Sequence, residues 1–198
     1  MKISFLCFDL SGNSLGRVVL LADALSRHYD VELLGPANKE GIWPPMKHTR
    51  HSVKLFPWAR YPRFVSTVKE ILNEIRGDVI FACKARPTSL GIGLLKKRQS
   101  GAPLLLDIDD WELGFFYHSG FWGKMGRFLN FSNPNGLPYT WLMEQFVSQA
   151  DEITVSNRFL QKRFGGELLY HCRDTSCLSP ENFDSMESKR NLGLGQKK

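Results

Sequence analysis

The sequence lacks the glycine signatures that most often open a nucleotide site. Neither G-x-G-x-x-G nor the Gly-Lys-Ser/Thr ending of a P-loop occurs, so nothing points to a nicotinamide or an ATP site. No apolar run approaches the roughly 20 residues that cross a bilayer. The opening MKISFLCFDL is apolar, but it is short for a signal peptide and is interrupted by Asp9. The expectation is a cytoplasmic protein whose first strand starts at once. Cysteine is scarce, at four in 198 residues. Cys7 and Cys83 fall in strand-like apolar runs and are expected to pack as small hydrophobes. Cys172 and Cys177, even with His171 beside them, are too few and too widely spaced for a zinc site, so reduced thiols are expected. Zinc-finger spacing and RNA-binding aromatic motifs are also missing, so nucleic acid is not an expected partner.

What is present is an ordinary globular composition, 42% hydrophobic and 23% charged, in a chain long enough to bury a core. The net charge of +6 is unevenly spread. Residues 39–102 carry 13 Lys/Arg against 4 Asp/Glu, and residues 103–153 carry 2 against 7. The basic stretch is either a solvated face or an attraction to phosphates, on a substrate or on an anionic membrane surface.

Strand-like and helix-like segments alternate. Strands are expected at 2–8, 31–34, 53–56, 78–83, 103–108, 152–155 and 167–170. Helices are expected at 14–29, 64–75, 88–98, 139–150 and 157–164, and 35–52 reads as irregular. This alternation argues an α/β, Rossmann-like, doubly wound and mostly parallel sheet of about seven strands over residues 1–175, with 176–198 as a linker or tail. Such sheets bind ligands at the carboxyl ends of their strands. That rule selects four segments, beginning after the first, fourth, fifth and sixth strands.

After the first strand comes DLSGNSLGR. Gly12, Asn13, Ser14, Gly16 and Arg17 form either a generic tight turn or a helix start whose amides meet a phosphate or sugar hydroxyl, with Asn13 or Ser14 as cap. After the fourth comes KARPTS, where Lys84 and Arg86 contact an anion or pair with Asp109 or Asp110. After the fifth comes DIDDWELG. Asp109 and Asp110 are candidate catalytic carboxylates, and Trp111 and Glu112 candidate cleft residues. The same triplet also reads as a metal site, or as caps that pair with Lys84 or Arg86. Ser156 and Arg158 complete the set after the sixth strand. The segment FFYHSGFWGKMGRFLNF (115–131) has seven aromatics and no acid. Gly120, Gly123 and Gly126 argue against a helix there. Phe115, Phe116, Phe121 and Trp122 are expected to contact a membrane interface, an apolar acceptor or a neighbouring domain.

Taken in order, these pieces resemble the N-terminal domain of GT-B glycosyltransferases of the "group 1" or family 4 type. The resemblance rests on SGNSLGR followed by LADALSRHYDVELLG, on DVIFACKARPTSLGIGLL, PLLLDIDDWELG and ADEITVSNRFLQKRFGG, and on RDTSCLSPENF, which is similar to the family's interdomain link. It implies an acceptor-binding half of an enzyme that transfers a hexosyl group from a nucleotide sugar to a glycan or lipid-linked acceptor. It implies no metal and no cofactor beyond the nucleotide sugar as co-substrate. It places the turn after the first strand against the donor, and Asp109 and Asp110 on the acceptor side. Many relatives carry a His-Asp pair here, and Asp109 stands where the histidine would be. The family's second domain, with its Glu-x7-Glu element, is missing from these residues. The resemblance therefore implies a donor-binding partner, either a domain or a separate chain, and the aromatic and basic segments add to the cytoplasmic expectation a peripheral place at the membrane face. The rival expectation is a non-catalytic, membrane-docked module that binds a glycan or lipid acceptor.

Overall fold

The structure, a computed structural model, describes residues 1–117, 121–171, 179, 181 and 184–194. Seven strands form one all-parallel sheet in the order β3-β2-β1-β4-β5-β6-β7. They are β1 (Lys2–Leu6), β2 (Asp30–Ala37), β3 (Ser52–Pro57), β4 (Val79–Cys83), β5 (Leu104–Ile108), β6 (Glu152–Val155) and β7 (Glu167–Leu168). The helices are α1 (Leu15–Leu25), α2 (Phe64–Glu74), α3 (Ile92–Ser100), α4 (Gly114–Tyr117), α5 (Phe121–Phe128), α6 (Leu137–Gln145), α7 (Arg158–Phe164) and α8 (Ser185–Asn191). The expected α/β doubly wound sheet is what the chain forms.

The core divides by strand alternation, because successive side chains leave a strand on opposite faces. Phe5, Leu33, Phe81 and Cys83 point to one face and pack with Leu15, Val18, Val19 and Ala22 of α1. Leu6, Leu34, Ile80, Ala82, Leu104 and Leu106 point to the other, against Ile71 of α2, Ile92 of α3, Met143 of α6 and Leu160 of α7. Cys7 and Cys83 are buried thiols within the first of these clusters, as expected, and burial pushes the pKa of both upward.

Several boundaries differ from the expectations, each for a physical reason. β2 runs on to Ala37 through Gly35 and Pro36, because β3 continues to pair with it as far as Ala37 opposite Pro57. The Pro36 carbonyl faces Leu10, beyond the last residue of β1, so its missing N–H removes no ladder bond. Gly35 is required: a Cβ there would lie 2.6 Å from the Cys7 carbonyl oxygen. The expected third helix begins instead as a π-helical turn, Pro87–Gly91, before α3. The expected 139–150 helix ends at Gln145 and continues as a 3-10 turn, Val147–Gln149. The expectation that glycines keep 115–131 from forming helix is corrected, since Gly123 and Gly126 both lie within α5. A helical glycine costs about 1 kcal/mol relative to alanine, which weakens a helix without forbidding it. Exposed α8 lies inside the segment expected as linker, capped by Asp184, whose carboxylate accepts from Met186 N and Glu187 N.

The fit at Gly35 makes a direct prediction. Gly35→Ala should lower stability by about 1–3 kcal/mol, the usual cost of forced overpacking. Gly126, with nothing within 4 Å of a built Cβ, should tolerate or gain from the same change. Urea unfolding of the two variants against the parent chain measures both.

Candidate functional site

The direction of chain crossover reverses between β1 and β4, the position where a crevice opens beyond the strand ends of such sheets. The loops after β1, β4 and β5, and the loop before α6, converge there. Thr88 Oγ1 donates to the Phe8 carbonyl at 3.0 Å and lies 3.1 Å from Asn135 Oδ1, which ties three of those loops together.

The basic and acidic groups that the strand-end rule selects meet one another. Lys84 Nζ lies 2.9 Å from Asp109 Oδ1, 2.8 Å from Asp110 Oδ2 and 2.7 Å from Glu112 Oε1. Lys84 is 7% exposed and has a left-handed backbone, φ 78°, uncommon and strained for a residue with a side chain. Its N–H donates to the Asp107 carbonyl, and its carbonyl accepts from Ser89 Oγ. Burial alone would lower its pKa, but Glu112 and Asp109 outweigh that and hold the ammonium above its usual range. Arg86 donates through Nε to Glu112 Oε2 at 2.9 Å, pairs again through Nη2, and uses Nη1 on the Asn135 carbonyl and the Thr140 hydroxyl. Phe8 and Phe116 lie 5.4 Å from its guanidinium. Of the two expectations for Lys84, Arg86 and Glu112, contact with an acceptor or mutual pairing, the structure shows pairing.

The metal reading of the triplet meets the same fact. Asp109, Asp110 and Glu112 each offer an oxygen, and these lie within 4.8 Å of one another. The position a cation would take among them is filled by the Lys84 ammonium. Asp109 Oδ1 is buried, and the Lys84 ammonium at 2.9 Å is the cation it faces. Burial raises the Asp109 pKa above the ordinary carboxylate value. Lys84 works against this, and the Asp110 and Asp107 charges add to it.

Arg17, expected on the turn facing a phosphate, turns inward instead. Its Nε and Nη2 grip the two oxygens of Asp107 at 2.7 and 2.8 Å, and Nη2 also donates to the Leu169 carbonyl at 3.0 Å. Thr154 Oγ1 donates to the same Asp107 at 2.7 Å. Ser14 stands at the start of α1 but does not cap it; its hydroxyl reaches back to the Asp9 carbonyl at 3.3 Å. Gly12 and Gly16 sit half-buried in the turn, against Asp9 and Trp43, and Asn13 is exposed. Trp111 donates through Nε1 to Glu144 at 2.9 Å, and the Arg163 guanidinium lies 4.3 Å from its ring centre, so that ring face is occupied. Ser156 donates to the Asp109 carbonyl at 2.7 Å, and Arg158 is exposed at the start of α7. Phe115 is exposed and Phe116 half-buried under Arg86; the side chains of Phe121 and Trp122 lie outside the described residues, as do Cys172 and Cys177.

Beside this network lies a cavity of about 330 Å³ lined by Phe8, Asp9, Asn38, Trp58, Arg86, Asn133 and Asn135. Three amides, one carboxylate and an indole suit hydroxyl-rich ligands, which need paired donors and acceptors beside an apolar ring face. The selection of strand-end segments missed Asn38, Trp58, Asn133 and Asn135. Asn38 and Trp58 follow β2 and β3, and the Asn-Pro-Asn of 133–135 was the one local signal for the other two.

These features define a doubly wound α/β unit with a glycosyltransferase-like fold and a polar crevice at its strand ends. Among solved structures it is similar to Anabaena Alr3699/HepE in complex with UDP and glucose, with TM-score 0.63 and 15% identity over 100% of this chain and 51% of that one. It is also similar to Arabidopsis thaliana UGT89C1 complexed with UDP, with TM-score 0.53 and 11% identity over 100% of this chain and 57% of that one. At these identities the likeness is one of fold alone, and the chain spans about half the length of the HepE structure. No protein-family model matches the sequence, and no curated protein is significantly similar to it.

Two predictions test the network. Lys84→Met leaves three carboxylates facing one another and should cost about 3–5 kcal/mol, the usual loss when one partner of a buried ion pair is removed. Urea unfolding of the variant against the parent chain reads that loss. Asp109 makes stability depend on pH. Its folded pKa lies above its unfolded one, so the native state holds the extra proton between the two. Its contribution is fully present below the unfolded value and is lost as pH rises through the folded one. Asp109→Asn should flatten the stability profile across that window, and parallel profiles for the two proteins would contradict this account of Asp109.

Proposed function

We propose that this chain is the acceptor-holding half of a glycosyltransferase. In this reading it presents a hydroxyl of a glycan or lipid-linked acceptor to a nucleotide sugar, and a second domain or chain holds the donor. The observation that carries the reading is the Asp9, Asn38, Trp58, Asn133 and Asn135 cavity, placed at the strand-end crevice of a glycosyltransferase-like fold. Support for a donor site elsewhere comes from charge. Three of the four strand-end cations, Arg17, Lys84 and Arg86, are paired with carboxylates, which leaves only the exposed Arg158 of that set to meet a diphosphate. Transfer then requires a partner that supplies cations and fixes the donor against the acceptor.

At the same strand ends, though outside the lining of that cavity, Asp109 and Asp110 are assigned the roles of proton acceptor and hydroxyl orienter. Asp110 is the more exposed, its side chain 49% accessible against 14% for Asp109. The Lys84 ammonium contacts both carboxylates, so the assignment rests on their surroundings: the more exposed Asp110 orients a hydroxyl, and the more buried Asp109 receives a proton. The raised pKa of Asp109 suits that step. The second reading, a non-catalytic binding module, draws on the same ion pairs, because they hold these carboxylates in structural contacts. The two readings part on whether transfer appears when a donor-binding partner is supplied.

The test is isothermal titration of the purified chain with UDP-glucose, UDP, GDP-mannose and GDP. The expected outcome is no binding tighter than millimolar. Micromolar binding would place the donor site in this half and overturn the division of labour. A parallel titration with short oligosaccharides should show binding that Trp58→Ala weakens about tenfold, the scale of one lost ring contact.

A further inference from the structure

A second cavity, of about 530 Å³, lies between α4, α5 and the first turns of α6. Its lining includes Leu113, Phe128, Phe131, Leu137, Trp141 and Leu142, and among the described residues the only side-chain hydroxyl on it is that of Tyr139, which donates to the Phe131 carbonyl. Several of these groups are open to solvent: Phe128 is 50% exposed, Phe131 51% and Trp141 53%. Apolar surface this large and concave is uncommon on a soluble unit without a ligand, and the volume is that of a small-molecule site.

The groove is not isolated from the polar crevice. Phe116 lines it and also packs on the Arg86 guanidinium, and Arg86 lines the polar cavity. The loop from Phe131 to Asn135 contributes Phe131 to the groove and Asn133 and Asn135 to the polar cavity. One wall therefore separates an apolar channel from a hydrogen-bonding pocket. At that wall the exposed Arg127 guanidinium lies 5.9 Å from the Phe116 ring, in a segment (115–131) with no acidic residue. An apolar channel, a cation at its seam and a cluster of amides beyond it are complementary to one kind of molecule: a hydrocarbon chain, then an anionic linkage, then a sugar.

We propose that the groove holds the hydrocarbon chain of a lipid-linked acceptor, whose phosphate meets Arg127 and whose sugar end enters the Asn38, Asn133 and Asn135 cavity. This rests on the acceptor-holding reading and narrows its substrate class to lipid-linked acceptors. Leu142 and Trp141 line the chain-binding part, away from the carboxylates, so changes there alter lipid capture without touching the polar crevice.

The probe is farnesyl phosphate, a soluble isoprenoid monophosphate, titrated into the full chain while tryptophan fluorescence is followed. Inorganic phosphate and phosphatidylglycerol vesicles are run alongside. The expected result is saturable binding of farnesyl phosphate, no comparable binding of inorganic phosphate, and at least a tenfold weakening by Leu142→Gln. Trp141→Phe should retain binding but lose much of the fluorescence change, a readout that misfolding would not mimic. Absence of farnesyl phosphate binding, or equal binding by Leu142→Gln, overturns the proposal. Binding to vesicles without binding to farnesyl phosphate also overturns it, because the face would then be a membrane contact. The two readings fail separately. Sugar transfer to a water-soluble glycan with no farnesyl phosphate binding would remove the lipid class and keep the transferase. Farnesyl phosphate binding with no transfer in the presence of a donor-binding partner would keep the groove and remove the transferase.

Discussion

The interaction on which the strand-end geometry depends is the contact of one ammonium with three carboxylates. Lys84 closes the end of β4 and draws Asp109, Asp110 and Glu112 to it, and Glu112 in turn holds Arg86 against Thr140 of α6. Buried ion pairs of this kind add little net stability, because desolvation offsets much of the attraction. Their effect is to fix position. With both cations satisfied by neighbouring acids, the loops after β4 and β5 and the start of α6 have one arrangement that leaves no charge stranded. The left-handed backbone at Lys84 fits this account, as strain of that kind persists where the surroundings over-determine a conformation.

The charges around that contact do not balance. Asp107, Asp109, Asp110 and Glu112 face Arg17, Lys84 and Arg86, four acids against three bases. The surplus falls on Asp109, whose carboxylate is buried beside the Asp107 and Asp110 charges. A raised pKa at that position is the local answer to the imbalance. The crevice is thus neutral to negative in character, which suits hydroxyls better than phosphates. The apolar groove with Arg127 at its edge offers the reverse. The two cavities thus differ in chemistry as well as in place.

Much of the fold was legible because its signals are local. KISFL, VIFAC and LLLDI are apolar runs of strand length, and helical periodicity at 64–75 puts Phe64, Ile71, Leu72 and Ile75 on one face. The strand-end rule then located Lys84, Arg86 and the acidic triplet together. It left open which of them pair, because that depends on side-chain direction. Direction here follows from one backbone angle at Lys84 and from the approach of Thr140 and Asn135, more than 45 residues away in sequence. Arg17 illustrates the same limit: a cation next to a glycine turn reads as phosphate-facing until a buried Asp107 appears beside it. The polar cavity was missed for a related reason. Asn38 and Trp58 belong to the loops after β2 and β3, outside the four segments that the strand-end rule selected.

The Arg17 brace has a mechanical consequence. Through Asp107, Thr154 and the Leu169 carbonyl, it fastens α1 to β5, β6 and the chain just past β7. These elements come from opposite ends of the sequence and lie on both sides of the crossover reversal. The crevice floor is therefore cross-tied like a keystone, and its two banks cannot spread independently. The crevice floor then acts as a stiff anvil, and any closing motion around a ligand would have to come from elements outside this brace.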